Sequence, residues 1–265
     1  MRLRFFVLPA GLVVSFFAVS FAQRGFRIYP DEEVNPARVP PDANEKTEWA
    51  FARLRYPSGR FAPWGYGTWP MDFPKCDRQF VQGVRRLTRI HARSAEQVVD
   101  IDDGDEIFYW PWLYAIEVGH WDLTERQCKK LREYLLRGGF LMTDDFHGSY
   151  EWEVFTASMR RVFPDRPIVD IDNKDPIFHV LYDLDEKIQV MGTVTFGTGR
   201  TYEKDGVVPH WMGIYDDRGR IMVAICWNQD NGDAWEWADS PLYPERAASQ
   251  AYRVGINYII YAMTH

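Results

Sequence analysis

Asp144, Asp145 and His147 fall within one short stretch, GGFLMTDDFHGSYEWEVF, residues 138 to 155. A glycine pair and an apolar run precede them, and a helical pattern follows. Three kinds of chemistry fit such a grouping. Carboxylates and an imidazole can donate to a divalent ion, although one Asp-Asp-x-His cluster lacks the spacing of established metal motifs. A carboxyl group with a raised pKa beside another titratable group can act as general acid or base. A turn aspartate can also simply accept hydrogen bonds from backbone N–H groups in the turn or at the start of the helix. Asp144 and Asp145 are adjacent, so at most one is expected to point into a cleft. His147 alone reads as a local hydrogen-bonding residue.

A second constellation lies in WNQDNGDAWEWADS, residues 227 to 240. Asp230, Asp233, Glu236 and Asp239 alternate there with Trp235 and Trp237. Indole rings that stack and carboxylates that accept from hydroxyls suit a sugar. The plainer alternative is a polar loop whose tryptophans pin it to the domain. Its acidic spacing does not match the calcium-loop pattern. A long Gly-, Pro- and aromatic-rich loop, PSGRFAPWGYGTWPMDFPKC, contains Trp64 and is flanked or entered by Arg53, Arg55 and Arg60. These arginines are placed to meet an anion or to pair with Asp144 or Asp145. The candidate ligand-binding set is therefore Arg55, Trp64, Asp144, Asp145, His147, Asp230, Asp233, Trp235 and Glu236, with Asp144, Asp145 and His147 as the catalytic candidates. No cofactor and no metal is expected from these motifs.

The elements that must position these residues read as alternating strands and helices. EWAFARLRY is strand-like and ends at Tyr56. From Asp77, residues Phe80, Val84, Leu87 and His91 repeat on one helical face. QVVDI and EIFYW are strand candidates. Thr124 and Gln127 have capping-box spacing, Cys128, Leu131, Tyr134 and Leu135 form an apolar stripe, and Gly138-Gly139 supplies a stop. FLMT reads as a buried strand, Trp152, Phe155, Met159 and Val162 as a helix face, and PIVDI as a further strand. HWMGIYDDRGRIMVAICW predicts two strands joined by a turn at Asp216 to Gly219, and a last helix runs from Ala247 to Ala262. This alternation implies a doubly wound, mostly parallel sheet with a C-terminal hairpin and a terminal helix. In such sheets ligands bind beyond the carboxyl ends of the strands, which is where TDDFHG falls.

Residues 1 to 22 read as an export signal: Arg2 and Arg4, an apolar stretch, and small residues Ser20 and Ala22 before Gln23. Residues 23 to 48 look like an extended leader or linker, and the domain spans residues 49 to 265. The expectation is an exported chain, periplasmic or extracellular, with no membrane span in its mature part. Its net charge of −7 and lack of a Lys/Arg cluster argue against nucleic acid. Cys76, Cys128 and Cys226 are far apart and make neither a disulfide framework nor a zinc spacing. The 11 tryptophans fit a bulky core or carbohydrate stacking.

In order along the chain, FARLRY, LTERQCKKLREYLLRGGFLMTDDF, RRVFP, DPIFHVLYDL, NQDNGDAWEWAD and GINYIIYAMTH resemble the bacterial domain of unknown function DUF4159 from about residue 49 onward. The resemblance implies a flavodoxin-like fold related to class I glutamine amidotransferases and their ThuA-like branch. In that fold a catalytic cysteine occupies the strand-to-helix turn filled here by TDDFHG. None of the three cysteines has nucleophile-elbow surroundings, which disfavours amidotransferase chemistry. Where relatives show a GGDW-like stretch this chain reads PSGRFAPWGYG, and Asp175 replaces the histidine of a His-Pro-Ile turn. The resemblance carries over no catalytic residue. The expected role is an envelope module that binds a protein partner or carbohydrate-like ligand. The alternative is a hydrolase using Asp144 or Asp145 with the Asp230–Glu236 loop on an envelope or polysaccharide substrate.

Overall fold

Two apolar layers enclose one seven-stranded sheet in the computed structural model. The described residues are Phe26, Arg27, Tyr29, Glu33, 38–59 and 68–265. The export signal, most of the leader before residue 38, Arg60 and Trp64 lie outside them. The strands are β1 (Ala52–Arg55), β2 (Gln97–Asp100), β3 (Trp112–Ile116), β4 (Phe140–Asp144), β5 (Val169–Asp170), β6 (His210–Tyr215) and β7 (Ile221–Trp227). Their order across the sheet is β2-β1-β3-β4-β7-β6-β5. The first five are mutually parallel, while β6 runs antiparallel to β7 and β5 antiparallel to β6.

Strand periodicity assigns neighbouring side chains to opposite layers. Trp112, Tyr114 and Ile116 of β3 face the layer of α1 (Lys75–Leu87), α4 (Asn231–Glu236) and α5 (Glu245–Thr264), whereas Leu113 and Ala115 face α2 (Glu125–Leu136) and α3 (Gly148–Val162). Both faces of the central strands are covered, so they read as continuous apolar runs. Most tryptophans are core material: Trp49, Trp69, Trp110, Trp112, Trp121 and Trp235 are all buried.

The capping box at Thr124 forms as expected, with its hydroxyl accepting from the Gln127 N–H and the Gln127 side chain accepting from the Thr124 N–H. The hairpin β6–β7 forms as well. EIFYW, in contrast, is not a strand. Glu106–Tyr109 is a 3-10 turn fed by the preceding Asp103-Gly104-Asp105 bend, and the strand begins two residues beyond Trp110. The α1 face also ends early: Phe80 and Val84 are buried, Leu87 is exposed and His91 lies past the helix. The acidic segment read as a loop contains α4, capped by Asp230, whose side chain accepts from the Asp233 N–H at 2.7 Å. Among the described residues no helix is long and apolar enough to cross a membrane.

Candidate functional site

Three adjacent parallel strands, β3, β4 and β7, end in the same way. The residue after each is left-handed without being glycine: Glu117 at φ 55°, Asp145 at φ 49° and Asn228 at φ 60°. Aspartate and asparagine tolerate this region better than most residues, but glutamate does not, and such conformations persist only where the surroundings impose them. Here the sheet ladder imposes them. The Glu117 N–H donates to the Asp144 carbonyl, the Asp145 N–H to the Gln229 carbonyl and the Asn228 N–H to the Phe146 carbonyl, each at 3.0 Å. A fourth left-handed residue, Asp72 at φ 60°, enters from the end of the first long loop.

The two neighbouring aspartates divide their roles. Asp144 is fully buried and accepts from the Tyr114 hydroxyl at 2.8 Å, the Asn231 amide at 2.7 Å and the Gly232 N–H at 3.0 Å. It ties the first turn of α4 to the sheet. Burial raises its carboxyl to about 6, opposed by those hydrogen bonds. Asp145, in its left-handed turn, has one side-chain hydrogen bond among the described residues, with His147 Nε2 at 3.1 Å. Burial, reinforced by Glu203, Asp233 and Asp144, holds its carboxyl well above the ordinary range.

Around Asp145 the carboxylates crowd together. One ligating atom each of Asp72, Asp145 and Asp230 lies within 4.8 Å of the others, and the same holds for Asp72, Asp233 and Glu236 and for Asp145, His147 and Glu203. Burial first, then mutual repulsion, pushes the Asp72 and Asp230 carboxyls well above their usual value. The same burial lowers the pKa of His147, which favours the neutral imidazole, and its Nδ1 has no hydrogen-bond partner among the described residues. Asp233 is anchored by the Thr193 N–H at 2.6 Å and the Thr193 hydroxyl at 2.8 Å.

A fourth group on the same rim is electrically different. Glu151, on the first turn of α3, receives the His147 N–H, His120 Nε2 at 2.9 Å and the Lys204 ammonium. Burial raises its carboxyl, but these donors outweigh that and hold it at about 2. The bond to Glu151 raises His120 in turn. Gly119 makes the approach possible, since a Cβ there would lie 2.4 Å from the Glu151 Cβ.

The structure brings Asp144, Asp145, His147, Asp230, Asp233 and Glu236 together, and it leaves two of the other expected residues elsewhere. Arg55 pairs with Asp100 of β2 at 2.7 Å, and Arg53 pairs with Asp77 rather than with Asp144 or Asp145. Trp235 is fully buried against Phe80 and Tyr114, with ring centroids 4.2 and 5.3 Å away. It pins α4 to the core and presents no face to a ligand, because the α4 helix turns it inward while Asp233 and Glu236 join the carboxylate group. Trp64 lies outside the described residues. Sequence reading missed Asp72, Glu117, His120, Glu151, Glu203 and Lys204. Glu117 carries a usable signal, since it directly follows the apolar run Trp112–Ile116, but the strand-like composition of EIFYW just before it draws the strand to the wrong residues. Asp72 lies in the long Gly-, Pro- and aromatic-rich loop, where no spacing marks it out.

The family model for DUF4159, a domain of unknown function, matches residues 50–263. No curated protein matches the chain.

Proposed function

The chain belongs to the DUF4159 family of unknown function, and from that premise we propose that it is a binding module whose ligand site is the rim at the carboxyl ends of β3, β4 and β7. The observation that carries this reading is the row of three left-handed, non-glycine residues on adjacent strands, opening onto overlapping groups of crowded carboxylates in which Asp72 keeps one buried oxygen without a hydrogen-bond partner among the described residues. Strained backbone beside unsatisfied charge stabilises neither the turn nor the core, and such features concentrate at sites built for a ligand. A polar, hydroxyl-rich ligand supplies the missing donors, which favours a carbohydrate-like molecule of the cell envelope over an apolar one. The order β2-β1-β3-β4 followed by β7 supports a flavodoxin-like relationship, in which ligands sit at this edge. The basic-then-apolar start of the chain supports export, which fractionation and N-terminal sequencing of the mature protein check. Calorimetric titration with envelope glycan fragments tests the binding role: binding that Asp145→Asn abolishes supports it, and no binding by the wild-type chain contradicts it.

A hydrolytic reading has its own support in the distance between Asp145 and Asp230, whose carboxylate oxygens approach within 4.8 Å. Retaining glycosidases hold their two carboxyl groups about 5–5.5 Å apart. With both carboxyls raised, one retains a proton to give to a leaving group while the other serves as the base or nucleophile. Release of reducing ends from envelope polysaccharide, lost in both Asp145→Asn and Asp230→Asn, is the outcome this reading requires.

A further inference from the structure

We propose that Asp72, Asp145 and Asp230 form a site for one hard divalent cation of the calcium, magnesium or manganese class, with Asp233 and Glu236 flanking it. The proposal rests on the rim being a ligand site and names what organises it. It revises the expectation from sequence that no metal is bound.

Asp72 is what distinguishes this group from an ordinary acidic cluster. The residue is 6% exposed, and its Oδ2 is buried without a hydrogen-bond partner among the described residues. An unpaired carboxylate oxygen at that depth is strongly unfavourable unless something positive or protic meets it. Asp72 is also shared by two of the carboxylate groups, so it lies within 4.8 Å of ligating oxygens of Asp145 and Asp230 and of Asp233 and Glu236. Its position is imposed from behind. The fully buried Arg53 guanidinium binds Asp77 and donates to the carbonyls of Trp69 and Met71 at 3.0 Å each, and the Asp72 carbonyl accepts from the Cys76 N–H. Arg53 thus fixes the chain on both sides of Asp72 while directing its hydrogen bonds to Asp77, the Trp69 and Met71 carbonyls and the Cys76 sulfur.

Among the described residues, Arg53 pairs with Asp77, Lys204 with Glu151 and Arg55 with Asp100. The glycines keep the space for oxygen atoms. A Cβ on Gly192 would lie 2.6 Å from Asp230 Oδ2 and 2.3 Å from Glu203 Oε1, and one on Gly232 would lie 2.8 Å from Asp72 Oδ2. The donor set is all oxygen, since the Cys76 sulfur is turned to Arg53 and Asp77, which selects a hard cation over a thiophilic one. His147, bonded to Asp145 through Nε2, orients that carboxylate as partners of metal-bound groups do.

The test uses the full chain stripped with EDTA and titrated with Ca²⁺, Mg²⁺ and Mn²⁺ by calorimetry, with Mn²⁺ paramagnetic resonance as a second readout. The proposal expects one saturable site, a higher Tm with cation than with EDTA, and a loss of affinity in Asp72→Asn of at least roughly the 10–100-fold that removing even an outer partner produces. Should Asp72→Asn not fold, Glu236→Gln gives a smaller loss in the same direction. Absence of wild-type binding up to roughly 10 mM, beyond the weakest extracellular calcium sites, overturns the proposal. So does binding that Asp72→Asn and Glu236→Gln both leave unchanged. Glycan titrations in parallel separate the two claims: glycan binding that persists in EDTA without cation binding removes the cation and keeps the ligand site, whereas cation binding without glycan binding does the reverse.

Discussion

Glu151 and Asp72 lie on the same rim and are buried to a similar depth, 2% and 6% exposed, but their surroundings are opposite. Glu151 has His120, Lys204 and a backbone N–H around it, whereas Asp72 has four other carboxylates and no donor among the described residues. The difference separates two uses of buried charge. A carboxylate surrounded by donors holds elements together, here α3, the turn at Val118–His120 and the segment carrying Lys204. A carboxylate surrounded by its own kind destabilises the chain, and its retention calls for a ligand. Asp144 belongs with the first kind and its neighbour Asp145 with the second.

The sharpest way to break this comparison is to remove a compensated charge from beneath Asp72. Arg53→Met leaves the Asp77 carboxylate buried and unpaired and is expected to cost about 3–5 kcal/mol in urea unfolding. It also releases the carbonyls of Trp69 and Met71 that position Asp72. Next in size, Glu151→Gln weakens three charge-assisted hydrogen bonds and is expected to destabilise by about 2–3 kcal/mol. Asp72→Asn should act in the reverse direction in metal-free protein, raising stability by about 0.5–2 kcal/mol through relief of repulsion.

The smallest effect, and the one that sharpens the contrast most finely, is in pH dependence. The Glu151 carboxyl sits at about 2 in the fold against an ordinary 4.5, so its stabilisation is complete above the ordinary value and lost as pH falls toward 2. Asp72, Asp145 and Asp230 are raised instead. Their contribution is most favourable below the ordinary aspartate value and is lost as pH rises through their raised values. Denaturant midpoints in EDTA should therefore fall on the acid side in wild type, less so in Glu151→Gln. Asp72→Asn should flatten the decline toward neutral pH.

The layers of the fold were readable because periodicity and caps are local: the Thr124 box, the Gly138-Gly139 stop and the β6–β7 turn each follow from a few adjacent residues. The β3 strand was obscured because EIFYW has strand-like composition while its backbone is committed to a 3-10 turn by the Asp103–Asp105 bend. The site was half legible. Asp145, His147, Asp230 and Asp233 could be found from their place after apolar strands, but their meeting with Asp72 depends on a buried Arg53–Asp77 pair between β1 and α1 that no short-range pattern encodes. Trp235 decides between the two readings of its segment in favour of the pin to the domain. Its interleaving with acids suggested a stacking face, and helix α4 turned it into the core.

The central claim, that one half of the rim is architecture and the other half a site, is tested most directly by unfolding free energies of Glu151→Gln and Asp72→Asn measured side by side in EDTA. The account predicts opposite signs, with Glu151→Gln less stable and Asp72→Asn more stable than wild type. Destabilisation of both by similar amounts would contradict it, since Asp72 would then be one more residue holding a turn.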